Sequence, residues 1–132
     1  MPMESKNKRP FVSWSRLKKS FDYASKGIRY TWRYEQNFRI HIVLAVTVFI
    51  AAQILRVPLL EQAILAIVIG AVIGLELINT ALEHIVDLVV QTYDERAKVI
   101  KDVAAGAVLA FALTALIVGG MILLPRVFEL LF

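Results

Sequence analysis

The chain contains no cysteine, so disulfides and thiolate metal sites are excluded and any metal must be held by oxygen or by one of only two histidines, His41 and His84. Its six glycines, Gly27, Gly70, Gly74, Gly106, Gly119 and Gly120, never fall in a GxxxxGK[ST] arrangement. A nucleotide, if bound, is therefore held by some other device. No apolar core followed by a small-residue cleavage site opens the chain, which argues against a removable secretory signal. Basic residues are scarce in the middle: ten of the 15 Lys and Arg precede Ile40, and a basic end beside apolar spans points to anionic lipid and away from nucleic acid.

Apolar residues are abundant. Of 132 residues 58% are hydrophobic, and mean hydropathy is +0.66, too apolar for an ordinary soluble domain of this length. The pattern predicts an all-α integral membrane protein with three transmembrane helices and an N-terminal amphipathic surface helix, in one membrane domain over 1–132. Residues 1–12 read as a polar, disordered cytosolic tail. Over 13–34, Trp14, Leu17, Phe21, Ala24, Ile28 and Trp32 share one helical face while Arg16, Lys18, Lys19, Lys26, Arg29 and Arg33 take the other. Such a helix lies in the membrane interface or packs on protein. Trp14 and Trp32 read as interfacial anchors.

Spans are predicted over 40–57, 62–90 and 103–124, with Pro58 and Glu61 marking the first turn, a charged connection over 91–102, and Pro125 ending the third span. The second run is about 43 Å long as a helix, more than the hydrocarbon core needs, so its far end projects into water. Basic residues of the N-terminal segment and of the connection (Arg96, Lys98, Lys101) outnumber Arg56 and Arg126. The N-terminus is therefore expected in the cytosol and the C-terminus outside.

Inside the second run stand Glu76, Asn79, Glu83 and Asp87, within an arc of roughly 80° on a helix and over about 16 Å. An acid within a bilayer costs at least ~2.5 kcal/mol and faces a protein interior, a cavity or a cation. Short antiparallel connection of the second and third spans returns Lys101 and Asp102 to the level of Glu83 and Asp87, and Glu35 reaches that level from the N-terminal side. Carboxylates there suit Mg²⁺ bridging to nucleotide phosphates, with Glu35 and Glu83 as ligands, Lys101 neutralising phosphate, and Glu76 accepting a proton from a lipid alcohol. The same residues would also serve a proton or cation path. Against that, the outer half of the membrane offers only Thr47, Gln53 and Thr114. His84 points off the stripe, and both histidines read as packing or interfacial groups.

Glu76-Leu-Ile-Asn-Thr-Ala-Leu-Glu83, Asp87 and Lys101-Asp-Val-Ala-Ala-Gly-Ala-Val-Leu109 resemble the signature of the small prokaryotic diacylglycerol kinase and undecaprenol kinase family. Gly27-Ile-Arg29, Trp32, Glu35, Phe38 and Arg39 match its N-terminal motif in order, so the resemblance covers Phe21 to Leu124. It implies a homotrimer in the bacterial cytoplasmic membrane, with active sites shared between protomers, that moves the γ-phosphate of Mg-ATP to a lipid alcohol. By resemblance Glu76 is the general base, Glu35 and Glu83 are metal ligands, and Asn79 positions the reacting groups. Lys101, Asp102, Asp87 and Tyr93 contact or adjoin the nucleotide, and Arg29, Trp32 and Arg39 touch lipid or substrate. His41 stands where some members have an acid, and Ala105 where some have serine. The Lys101-Asp-Val-Ala-Ala-Gly-Ala form is more like the undecaprenol-using branch; diacylglycerol is the alternative acceptor.

Overall fold

A computed structural model describes residues 10–132; of the tail read over 1–12, residues 1–9 lie outside the described residues. Four helices follow in order: α1 (Trp14–Tyr34), α2 (Gln36–Ile54), α3 (Leu59–Val89) and α4 (Glu95–Leu131). Among the described residues α2, α3 and α4 are each long and apolar enough to cross a membrane.

A single extended residue, Glu35, separates α1 from α2. The last carbonyls of any helix lack intrahelical donors. Here the Arg39 guanidinium folds back to donate to Trp32 O at 3.3 Å and Arg33 O at 3.0 Å, closing the end of α1. Thr31, 4% exposed, donates its hydroxyl to Gly27 O, and Phe38, 1% exposed, fills the joint from the α2 side. Tyr30 lies tilted against Tyr34 at 4.6 Å and meets His84 edge-on at 5.5 Å, which fixes α1 against α3. The corner residue Glu35 is thereby held beside the middle of α3.

The three long helices pack along seams of 3–4 spacing. On α2 the seam runs Phe38, His41, Ala45, Val48, Ala52; on α3 it runs Leu65, Ile69, Val72, Glu76, Thr80; on α4 it runs Val108, Ala112, Ala115, Gly119, Ile122. The α3 seam changes character along its length: apolar up to Val72, it turns polar from Glu76 onward without leaving the helix face. One stripe thus serves first as core and then as site.

At the opposite end, α2 stops in a Schellman motif: Val57 N–H donates to Ala52 O at 2.9 Å and Arg56 N–H to Gln53 O at 3.1 Å, with Arg56 at φ 52°. Val57 drops into the cluster of Ala52, Leu65 and Ile122. Left-handed backbone costs a residue with a Cβ about 1–2 kcal/mol. Arg56→Gly is therefore expected to raise the thermal midpoint in detergent slightly, by the equivalent of about 1 kcal/mol at most once the lost chain entropy is counted; a lowered midpoint would contradict this reading of the turn. Beyond the turn Arg126 bridges α4 to α3 through Glu61 at 2.9 Å, and Gln62 donates to Val57 O at 2.8 Å.

Two boundaries differ from the sequence expectation. The connection expected over 91–102 is mostly helix, because Asp94 caps α4: its carboxylate accepts from Arg96 N–H at 2.8 Å and from the Arg96 guanidinium at 2.9 Å. Those bonds hold the Asp94 carboxyl below the usual carboxylate range, the Arg96 side chain first among the causes. Pro125 does not end the helix that carries the third predicted span either, since α4 continues to Leu131. Proline removes only its own N–H, the donor to Met121 O, and one missing bond near a helix end is tolerated where neighbouring groups supply others. Arg126 donates to Ile122 O at 2.6 Å in the same turn.

Candidate active site

Glu76 is the most enclosed acid of the α3 stripe, 5% exposed, one turn past Val72 on the buried face. Its Oε1 lies 3.2 Å from His41 Nε2 of α2. Thr80 is equally buried and donates its hydroxyl to Glu76 O at 3.0 Å, so its one proton is already engaged. One turn on, Asn79 donates from Nδ2 to Glu83 Oε1 at 3.1 Å. Its Oδ1 is buried and has no hydrogen-bond partner among the described residues. A buried amide oxygen without a donor costs on the order of 1–3 kcal/mol, so it is kept where a ligand or ion completes it.

The helix corner brings Glu35 close enough to Glu76 for the two charges to act on each other, as Glu83 does from its own helix. Three carboxylates on two elements therefore share one region. Further along the stripe, Lys101 of α4 pairs with Asp87 and also feels the charge of Glu83. That contact follows from the antiparallel hairpin: the turn at Val90–Asp94 is short, so α4 re-enters beside the last turns of α3.

Other expected residues sit further out. Asp102 pairs along its own helix with Lys98 at 2.6 Å, and Tyr93 is exposed in the α3–α4 turn. Arg29 and Trp32 line a groove of about 390 Å³ with Phe38 and Ile42, whereas Arg39 is engaged at the end of α1. Among the described residues no three His, Asp or Glu side chains gather as a ready metal cage.

His41 is the residue that the sequence reading left without a part. A signal was present: it falls between Phe38 and Ala45 at the 3–4 spacing of the α2 seam, which directs it inward. It also ends an apolar groove of about 330 Å³ lined by Leu44, Val48, Val68, Val72 and Leu116 among others, in which it is the one polar side chain among the described residues.

A buried carboxylate paired with the histidine that lines an apolar groove, with further acids and a lysine toward the helix ends, marks a helical protein of the membrane-spanning class with one polar region among its long helices. The chain belongs to the prokaryotic diacylglycerol kinase family, a family of lipid kinases, whose model matches residues 22–123. It is 49% identical over 113 residues to a diacylglycerol kinase of Synechocystis sp., covering 85% of this chain and 65% of that protein, just under two thirds of its length. It is 41% identical over 124 residues to the undecaprenol kinase of Bacillus subtilis, covering 94% and 99%. The diacylglycerol kinase of Escherichia coli is 29% identical over 106 residues, covering 80% and 87%.

Proposed function

We propose that this chain is an ATP-dependent membrane kinase that phosphorylates the hydroxyl of undecaprenol. The observation that carries the reading is the buried Glu76, paired at 3.2 Å with the His41 that lines the apolar groove and close to Glu83, Asn79 and Glu35. Glu76 takes the proton of the lipid hydroxyl as the alcohol oxygen bonds to the γ-phosphorus. The bond from that phosphorus to the bridging oxygen breaks, and its electron pair leaves with ADP. Lys101 and Asp102, with Asp87 and Tyr93 nearby, form the nucleotide end, and Arg29 and Trp32 border the lipid.

Glu35 and Glu83 would hold Mg²⁺. Their donor set fits that ion: both offer oxygen only, and Asn79 Oδ1, without a hydrogen-bond partner among the described residues, lies on the turn that carries Glu83. Mg²⁺ draws most of its six ligands from phosphates and water, so two protein carboxylates suffice. When bound it would screen the charge that builds on the phosphates.

Undecaprenol offers one hydroxyl on a hydrocarbon chain, and the groove offers one polar side chain, His41. Ester carbonyls of diacylglycerol would lose water there without gaining partners. The match to the Bacillus subtilis undecaprenol kinase over nearly both full lengths supports the same acceptor. Diacylglycerol is the second reading, favoured by the higher identity to the Synechocystis protein. A homotrimer, with α1 in the interface, the N-terminus cytosolic and the C-terminus outside, accords with the basic N-terminal segment and the broad apolar faces of α2 and α4. Purified protein in detergent, given labelled Mg-ATP and equal amounts of undecaprenol and diacylglycerol, is expected to label chiefly undecaprenol. Label chiefly in diacylglycerol would reverse the acceptor.

A further inference from the structure

We propose that His41 is a positioning residue for the Glu76 carboxylate: its Nε2–H holds Oε1, leaving Oε2 aimed at the lipid hydroxyl. The inference rests on the kinase reading above and adds a residue to it. His41 Nε2 is 3.2 Å from Glu76 Oε1, and the two side chains are only 22% and 6% exposed, so water does not compete freely for either. Glu76 has no other side-chain partner at ion-pair distance among the described residues. Its carboxylate would otherwise rotate about its last torsion, which is broad and shallow for a glutamate.

A base acts only when an oxygen lies within about 2.6–3.2 Å of the proton it removes. One oxygen bonded to His41 fixes the plane of the carboxylate and so the direction of the other. Because His41 also ends the apolar groove, the same ring marks where a lipid tail stops and its hydroxyl begins. In the transfer step the proton moves from the alcohol to Glu76, the alcohol oxygen bonds to the γ-phosphorus, and ADP departs with the electrons of the broken bond; His41 exchanges nothing. It acts through Glu76, as the orienting member of a base pair does in other transferases.

Three variants test this: His41→Leu, of similar volume without the donor; His41→Gln, whose amide nitrogen reaches the place of Nε2; and His41→Asn, whose amide falls short of it. His41→Leu and His41→Asn are expected to lower kcat roughly ten- to a hundredfold, as sub-ångström to ångström misplacement does, with KM for Mg-ATP unchanged. His41→Gln is expected to recover most of the loss. If His41→Leu does not fold, the contrast of Gln with Asn decides. Equal kcat in the Gln and Asn variants, or a wild-type kcat in the Leu variant, would overturn the positioning role. A readout independent of turnover is the ¹³C resonance of the Glu76 side-chain carboxyl, expected to move in His41→Leu and to hold in His41→Gln. Wild-type protein that phosphorylates no lipid would overturn the kinase reading alone, while an unmoved resonance in His41→Leu would overturn the His41–Glu76 contact alone.

Discussion

Glu76→Gln is expected to reduce turnover by roughly 10²- to 10⁴-fold, the range general-base catalysis supplies, while nucleotide binding stays close to wild type. The substitution keeps the volume of the side chain, which matters because Glu76 lies between Val72 and Thr80 on the packed face of α3. It keeps an oxygen to accept from His41 but removes the capacity to take a proton. Stability is expected to hold or to rise, since a buried amide is cheaper to desolvate than a buried carboxylate. Single-turnover rates with pre-bound Mg-ATP, set beside equilibrium binding of the nucleotide, separate the two effects. Turnover within about tenfold of wild type would remove Glu76 from the role of base.

Glu83→Gln is expected to act on the other end of the reaction, weakening Mg-ATP binding by at least about ten- to a hundredfold, the loss typical even of groups one step removed from a metal. Two structural facts shape that expectation. Glu83 accepts from Asn79 through Oε1, so its second oxygen is the one left for a ligand, and Lys101 and Asp87 lie beyond it toward the α3–α4 turn. Titration with Mg-ATP checks it; an equal loss of nucleotide binding in Glu76→Gln and Glu83→Gln would abolish the division of roles between them.

Much of this arrangement can be read from spacing alone. Glu76, Asn79 and Glu83 prolong the 3–4 rhythm of Leu65, Ile69 and Val72, so their common face follows from helix periodicity and their cost in lipid marks them. Lys101 beside Asp87 follows from a short antiparallel hairpin. Residues set by contacts distant in sequence are less legible. Whether His41 meets Glu76 depends on how α2 lies against α3, which no local pattern of α2 contains. Arg39 reads from sequence as a lipid contact; only the one-residue corner at Glu35 brings its guanidinium to the open carbonyls of α1. The start of α4 had a local signal in Asp94 followed by helix formers, outweighed in a reading by charge, which sees the run from Gln91 to Asp102 as a polar connection. Pro125 misleads for a physical reason: a helix ends at proline only when the lost bond and the clash are not absorbed, and here they are.

If the polar end of the α3 seam carries phosphate from ATP to a lipid alcohol, ADP and lipid phosphate must form together. A stoichiometry measures this: purified wild-type protein, γ-labelled Mg-ATP and undecaprenol, with ADP and labelled lipid counted in the same samples. One labelled lipid phosphate is expected for each ADP formed, with both products falling together by roughly 10²- to 10⁴-fold in Glu76→Gln. ADP formed without labelled lipid, or no label in any lipid alcohol offered, would contradict it.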